Sequence, residues 1–337
     1  MKTVIKIEAI ILAILVLAAV ALTLLSMGAL MWMEEPVAVE RTPKPIPTEA
    51  PVVEEAAKAL DEGIPVQEPM SLPHSRELTA QRYFVYDVRT GQYLQQKGNL
   101  QDKLYPASIT KLLSVYVLLQ YMDPDDTVVV GDAMTLVQPD SSLANLKEGD
   151  QLTVGQLIEA MMLPSGNDAA QTAAVAAGRL ISGNSALAPA EAAQVFVDEM
   201  NKQAVALGMI GSHFVTADGF HDDNHYTTMS DLTVLAEKVL ADPVIVGYTS
   251  KIQDTVTLQG RTEEWKNTNA LLRPGYEAYI PATIGLKTGY TGEAGSCLIS
   301  AFFMEDRLLL IGVFGCPAYT EDRYLDTAEL FNTTILP

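Results

Sequence analysis

The hydrophobic pattern begins with a long apolar segment near the N-terminus. Residues 9–32 contain no charged side chain over 24 positions, and Lys2 and Lys6 precede them. As a helix this segment would be about 36 Å long, more than the hydrocarbon thickness of about 30 Å. The lysines place residues 1–8 in the cytoplasm, so we expect a single-pass membrane anchor with the remaining chain outside. A signal peptide cleaved at residues 26–28 is the alternative, and the length of the apolar segment favours a retained anchor.

A proline-rich and acidic segment follows the apolar one. Eight prolines and many glutamates lie within residues 33–79, with few aromatic residues. Such a composition predicts an extended, solvated tether rather than a packed core. In polyproline II geometry, at about 3.1 Å per residue, it could hold a domain on the order of 100 Å from the membrane. We therefore expect the ordered domain to comprise residues 80–337.

Within this domain the pattern predicts strands at both ends and helices between them. Composition and a change of periodicity indicate strands over residues 82–88, 93–94, 255–258, 284–287, 296–303 and 308–314, the last two joined over Glu305-Asp306. Helical periodicity covers residues 154–162, 167–180, 189–207, 230–240 and 320–333. The predicted fold class is α/β (α+β): an antiparallel sheet of N- and C-terminal strands flanked by helices, with an inserted helical lobe over about residues 108–245.

A hydroxyl and an amine stand at the entrance of the most apolar predicted helix. Residues 112–119 have no polar face, which indicates a helix buried in the middle of the domain. Pro106 suits the helix start, and Ser108 and Lys111 share one helix face because they are three residues apart. A desolvated lysine loses proton affinity, so its neutral amine can act as base toward the hydroxyl. Taken alone, the pair is equally compatible with a capping serine and a surface lysine.

Two further motifs carry polar groups suited to the same chemistry. Ser165 and Asn167 form a Ser-x-Asn motif in a loop between two predicted helices. Lys287, Thr288 and Gly289 form a Lys-Thr-Gly motif that we expect to end a strand. Each motif alone could be a helix cap or an ordinary turn. Their order and structural contexts together predict one cleft in which the three segments meet.

These motifs resemble those of the serine D-alanyl-D-alanine carboxypeptidases, the low-molecular-mass penicillin-binding proteins. The resemblance extends over residues 81–332. It includes Pro106-Ala107-Ser108-Ile109-Thr110-Lys111, Ser165-Gly166-Asn167-Asp168-Ala169, Asp218-Gly219-Phe220, Tyr226-Thr227-Thr228 and Gly285-Leu286-Lys287-Thr288-Gly289-Tyr290-Thr291. It implies a β-lactamase/transpeptidase-like fold and a cell-wall hydrolase that removes the terminal D-alanine from peptidoglycan stem peptides without a cofactor. It also implies that β-lactam antibiotics are covalent inhibitors.

The resemblance assigns catalytic roles to five residues. Ser108 would attack the carbonyl between two D-alanines, and Lys111 would accept its proton. Ser165 would pass a proton to the leaving amine, and Asn167 would hold Lys111 and a substrate amide. Lys287 would lower the pKa of Lys111 and attract the substrate carboxylate.

The same resemblance implies a set of substrate contacts along the last motif. Thr288 would bind the carboxylate, and Gly289 would let the strand pass close to the substrate. Backbone N–H groups of Ser108 and Tyr290 would form the oxyanion hole, and Thr291 follows on the same strand. Arg323 would add a carboxylate contact, as an arginine near the last helix does in some members.

Composition and charge exclude some function classes. The chain has 337 residues, 48% of them apolar, and a net charge of −20, which argues against nucleic acid as a partner. Two cysteines, Cys297 and Cys316, are too few for a disulfide scaffold. We expect them on one face of a hairpin as buried free thiols, although a disulfide remains open. The histidines around His221 and His225 lack a third ligand at a recognisable spacing, so we expect no metal site.

Three alternatives remain at this stage. A class A β-lactamase would need a Glu with an Asn three residues later, but Glu191 is followed at that offset by Gln194 and Glu199 by Lys202. DD-endopeptidase or transpeptidase activity would use the same cleft. An inactive, membrane-tethered binding protein would retain the fold without the chemistry. Because the chain stops at Pro337, directly after the predicted closing helix, we expect anchorage at the N-terminus.

Overall fold

The computed structural model describes residues 76–304 and 307–335. The predicted cytoplasmic segment 1–8, the anchor 9–32, nearly all of the tether 33–79 and the turn at Glu305-Asp306 lie outside the described residues. No helix within the described part of the chain is long and apolar enough to cross a membrane.

Seven α-helices and nine strands make up the described domain. The strands are β1 (Arg82–Asp87), β2 (Gln92–Lys97), β3 (Thr127–Val129), β4 (Gln151–Thr153), β5 (Gln253–Leu258), β6 (Arg261–Lys266), β7 (Thr283–Thr291), β8 (Gly295–Met304) and β9 (Arg307–Cys316). The helices are α1 (Lys111–Tyr121), α2 (Val154–Met162), α3 (Asn167–Ser182), α4 (Pro189–Leu207), α5 (Met229–Leu240), α6 (Pro243–Thr249) and α7 (Asp322–Ile335).

The main sheet joins the two ends of the domain, as the sequence predicts. Its five strands lie in the order β2-β1-β9-β8-β7. β1 pairs antiparallel with β9, so hydrogen bonds between residues more than 200 positions apart join the first hairpin to the last one. β7 is at one edge of this sheet, where one side of its backbone stays open for a ligand.

Two hydrophobic cores cover the two faces of the sheet. One core contains α1 and side chains from α2 to α6, and the other packs α7 on β8 and β9. All but one of the eleven residues of α1 are buried, which confirms the expectation from its lack of a polar face. Burial of one such leucine contributes about 1.5–3 kcal/mol to stability.

The two cysteines are buried and free, as expected, but the prediction that they share a face is wrong. Cys297 belongs to the core on the helical-lobe side, and Cys316 belongs to the core beneath α7. Gly315 has φ +69° and lies where the pairing of β8 with β9 shifts by one residue. Such a bulge reverses the alternation of side chains, so Cys316 turns to the opposite face.

Several elements differ from the sequence prediction. The residues 255–258 lie in β5, which pairs with the unpredicted β6 in a separate hairpin instead of joining the main sheet. The short β3–β4 pair and α6 were also not predicted, and a small β-element therefore sits in the otherwise helical lobe. The Lys-Thr-Gly motif lies inside β7 rather than at its end, since the strand continues to Thr291.

Candidate active site

The nucleophile turn, residues Ala107–Thr110, is a short 3-10 helix that leads directly into α1. Ala107 has φ +48°, an unusual conformation for a residue with a side chain. The turn presents Ser108 at the surface of the domain, half-buried, and places Lys111 one turn further in. Lys111 Nζ lies 2.9 Å from Ser108 Oγ. The predicted adjacency of the hydroxyl and the amine is therefore present, with a 3-10 rather than an α-helical first turn.

Lys111 is completely buried and surrounded by oxygen atoms. Its Nζ donates hydrogen bonds to Asn167 Oδ1 at 2.7 Å and to the Asp218 carbonyl at 2.8 Å, besides the contact with Ser108. Burial lowers its pKa to about 8, and the nearby carboxylates of Asp218 and Asp168 oppose this shift. An amine with this pKa is partly neutral near neutral pH, and it can therefore act as a base.

The second motif forms the wall of the site at the start of α3. Ser165 has φ +63° and is 5% exposed, and its Oγ has no hydrogen-bond partner among the described residues. Asn167 contacts Lys111 through Oδ1 and donates from Nδ2 to Ser141 Oγ at 3.0 Å. A Cβ at Gly166 would lie 2.8 Å from the Ala160 carbonyl, so only glycine fits this close turn. The motif thus brings Asn167 to Lys111, and Ser165 precedes it by two residues in the same turn.

β7 lies directly against the nucleophile turn. A Cβ at Gly289 would stand 2.8 Å from the Pro106 carbonyl and 3.2 Å from Ser108 N, so glycine allows the two segments to touch. Lys287 is 1% exposed, and its Nζ donates to the neighbouring Thr288 carbonyl at 3.2 Å. Burial lowers the pKa of Lys287 well below its ordinary value, and the positive charges of Lys111 and Arg323 lower it further.

The remaining predicted contact residues line the same edge of β7. Thr288 Oγ1 lies 2.6 Å from Thr268 Oγ1. Arg323, in the first turn of α7, donates from Nη1 to the Gly289 carbonyl at 3.4 Å. Tyr290 is 38% exposed at the rim and packs against Tyr319. Thr291 lies further out, and its Oγ1 accepts a hydrogen bond from Ala294 N at 3.0 Å that closes the following turn.

Sequence reasoning missed three groups that shape this site. The Asp218 carbonyl holds Lys111, Ser141 holds Asn167, and Thr268 holds Thr288. Asp218-Gly219-Phe220 is part of the family resemblance, but a backbone acceptor leaves no signal in the side-chain pattern. Ser141 and Thr268 lie within short runs of polar residues in loops, and nothing in the sequence distinguishes them from solvent-exposed ones.

Comparison with known proteins decides the family. The profile of the D-alanyl-D-alanine carboxypeptidases matches residues 68–317, which is more than half of the chain. The chain belongs to the D-alanyl-D-alanine carboxypeptidase family. Among its curated relatives, DacD of Escherichia coli is 33% identical over 253 residues, covering 72% of this chain and 60% of DacD. DacF of Bacillus subtilis is 29% identical over 231 residues, covering 67% of this chain and 54% of DacF. The match therefore spans little more than half of the length of these relatives.

Solved structures confirm the fold of this family member. The Streptomyces K15 DD-transpeptidase superposes with a TM-score of 0.68 at 28% identity, covering 77% of this chain and 98% of that one. Penicillin-binding protein D2 of Listeria monocytogenes, in its cefotaxime-bound form, gives a TM-score of 0.62 at 27% identity over the same shares. The predicted β-lactamase/transpeptidase-like architecture is thus confirmed.

Proposed function

We propose that this protein is a serine-type D-alanyl-D-alanine carboxypeptidase that acts on peptidoglycan stem peptides through a Ser108 acyl-enzyme. The observation that carries the proposal is the set of contacts of Lys111, whose buried amine touches Ser108 Oγ and Asn167 Oδ1 at once. A buried lysine held against a half-exposed hydroxyl is suited to activating it. Membership of the family supplies the substrate class.

Acylation follows from this geometry. Ser108 Oγ attacks the carbonyl carbon of the scissile D-Ala-D-Ala bond while its proton passes to Lys111 Nζ. The carbonyl oxygen becomes negative and is stabilised by the backbone N–H groups of Ser108 and Tyr290, which the contact at Gly289 brings close together. The C–N bond then breaks, and a proton returned through Ser165 converts the leaving group to free D-alanine.

Lys287 and its neighbours bind the terminal carboxylate of the substrate. Two adjacent buried lysines share protons as a pair, because a second positive charge is costly beside the first. Burial lowers the pKa of both lysines, and the charge of Lys111 lowers that of Lys287 further. A carboxylate at Lys287, Thr288 and Arg323 would favour a proton on Lys287, and Lys111 would then remain neutral as the base.

Deacylation regenerates the enzyme. Water takes the place vacated by D-alanine, gives a proton to Lys111 and attacks the ester carbonyl carbon. The ester C–O bond breaks, Ser108 recovers its proton, and the shortened stem peptide leaves with a free carboxylate. If an amine replaced water, the same cleft would perform transpeptidation, the activity for which the Streptomyces K15 DD-transpeptidase is named.

The proposed location is the outer side of the cell membrane. Residues 9–32 would anchor the protein with its N-terminus in the cytoplasm, and residues 33–79 would extend the catalytic domain toward the wall. The cefotaxime-bound state of the Listeria protein supports covalent inhibition by β-lactams as a further property of this site.

Two measurements test the proposed function. Free D-alanine released from a diacetyl-Lys-D-Ala-D-Ala peptide reports the hydrolysis, and a fluorescent penicillin reports the acyl-enzyme. We expect both signals in the wild type and neither in Ser108→Ala, whereas Ser182→Ala, an exposed serine at the end of α3, should match the wild type. A folded wild-type protein that neither binds the label nor releases D-alanine would favour the inactive binding protein. Rapid loss of the label would indicate a β-lactamase.

A further inference from the structure

One buried histidine lies next to the nucleophile turn without a role in the chemistry described above. His225 is 2% exposed, and its Nε2 lies 2.8 Å from Thr110 Oγ1, in the same turn as Ser108. Its Nδ1 accepts hydrogen bonds from the backbone N–H groups of Val215 at 3.1 Å and Thr216 at 3.3 Å. Because Nδ1 accepts, the ring proton of the neutral form is on Nε2 and is donated to Thr110.

The backbone segment held by His225 also supplies an acceptor to Lys111. Residues 215–219 form a loop, here called the 215–219 loop, whose Asp218 carbonyl lies 2.8 Å from Lys111 Nζ. Ser114, one turn further along α1, donates to the Ala217 carbonyl at 2.6 Å. Three hydrogen-bonded attachments therefore join the loop to α1 and the turn before it, through Thr110, Lys111 and Ser114. His225 provides the attachment at Thr110.

The fit between this loop and the nucleophile turn is tight. A Cβ at Gly219 would lie 1.9 Å from the Ala107 carbonyl, so the two backbones are in direct contact. The charged form of His225 would place a proton on Nδ1, where two N–H groups already point, and would break this arrangement. Burial and the charges of His213 and His221 lower the pKa of His225 to about 4 against the opposing effect of Asp218 and Asp222, so the ring is neutral at pH 7.

We propose that His225 is a positioning residue for Lys111: the neutral imidazole joins the nucleophile turn to the 215–219 loop and so holds the Asp218 carbonyl at the amine. This inference rests on the proposed function, in which Lys111 is the base. His225 touches neither the substrate nor the reacting atoms. It acts on the chemical step through the placement of Nζ, and misplacement of a catalytic group by about 1 Å can cost on the order of 100-fold in rate.

Acylation kinetics of the full chain with a fluorescent penicillin test the proposal, because they separate the acylation rate constant from the affinity of the initial complex. In His225→Ala we expect the rate constant to fall about 10- to 100-fold with an affinity within about threefold of the wild type. His225→Gln keeps an acceptor and an N–H donor on one carbon atom, as the two ring nitrogens are on Cε1, so it should restore the rate to within about threefold. The matched control is His213→Ala, an exposed histidine in the neighbouring bridge, which should react at the wild-type rate.

Thr110 variants and a crystal structure complete the test. If His225→Ala does not fold, Thr110→Val removes the partner of Nε2 and Thr110→Ser keeps it, so only the valine variant should lose acylation rate. A wild-type rate in folded His225→Ala would overturn the proposal, as would equal losses in the alanine and glutamine variants. A structure of either disabled variant that keeps Lys111 Nζ at 2.8 Å from the Asp218 carbonyl would also overturn it. Since that structure requires no activity, it decides the role of His225 even if the wild type proves unreactive toward penicillin.

Discussion

The entrance of α1 and the strand β7 lie against each other and each bury a lysine, but the two lysines have different hydrogen-bond partners. Lys111 donates to three oxygen atoms, two of which belong to the distant Asn167 and Asp218. Within the described residues, Lys287 donates only to the carbonyl of the adjacent Thr288 at 3.2 Å. The hydrogen bonds of Lys111 are therefore completed by the protein itself. Lys287 keeps N–H groups free for a ligand at the open edge of the sheet.

This difference indicates what each region is built for. A lysine with its hydrogen bonds complete is held in one position, as a base must be if proton transfer is to be efficient. A buried lysine with unused donors is unfavourable in the free protein, and an anionic ligand relieves that cost. We therefore propose that the region around α1 carries out the catalysis and that β7 recognises the carboxylate.

Loss of the amine in the first region should have the largest effect. In Lys111→Gln the serine loses its base, so we expect the acylation rate constant for penicillin to fall about 1000-fold or more. The measurement is the time course of covalent labelling, with the melting temperature as a check on folding. Lys266→Gln, which changes an exposed lysine on β6, should label like the wild type. If Lys111→Gln kept more than a tenth of the wild-type rate, Lys111 would not be the base.

Loss of the amine in the second region should be smaller and should affect binding more. In Lys287→Gln the substrate loses a charged donor to its carboxylate, so we expect kcat/KM for D-alanine release to fall about 100-fold, mainly through KM. With a peptide substrate that ends in an amide, the wild type and the variant should differ less in kcat/KM. Equal losses on the acid and the amide would place Lys287 in the chemical step and contradict the assignment.

The overall architecture of both regions could be predicted because it depends on periodicity. The absence of a polar face in residues 112–119 indicates a buried α1, and strand-forming residues at both ends of the domain indicate one sheet. The spacing of Ser108 and Lys111 gives their contact for a helix of either kind, since one turn separates them in both.

The unpredicted features depend on local backbone geometry. The bulge at Gly315 that turns Cys316 to the other face has φ +69°, and one glycine does not reveal a register shift in the sequence. The strands β5 and β6 are mostly polar, and only Val256, Leu258 and Trp265 are buried in them, so β6 gives a weak strand signal. The Asp218 carbonyl holds Lys111 through a backbone atom, which every residue possesses, so only the folded chain shows its role.

The pH dependence of acylation tests whether Lys111 is the base. The base must be neutral, and burial lowers the pKa of Lys111 to about 8. The acylation rate constant should therefore rise with pH up to about 8 and level off above it, and the neutral fraction at pH 7 is about one tenth. Burial, and not the charge of Lys287, lowers the pKa of Lys111, so Lys287→Gln should keep the midpoint of the wild-type profile. A flat wild-type profile between pH 6 and 9 would exclude Lys111 as the titrating base.

The smallest predicted effect comes from Arg323, which is coupled to one lysine only. Its charge lowers the pKa of Lys287 but is not among the causes of the shift at Lys111, and its guanidinium contacts the Gly289 carbonyl at 3.4 Å. In Arg323→Gln we expect an increase of about three- to tenfold in KM for D-alanine release, because one partly exposed charge near the carboxylate is lost. The rate constant of penicillin acylation at saturation should change by less than about twofold, and Arg323→Lys should recover part of the KM. A loss in that rate constant equal to the loss in Lys111→Gln would mean that Arg323 supports the α1 region, and the division between the two regions would then be wrong.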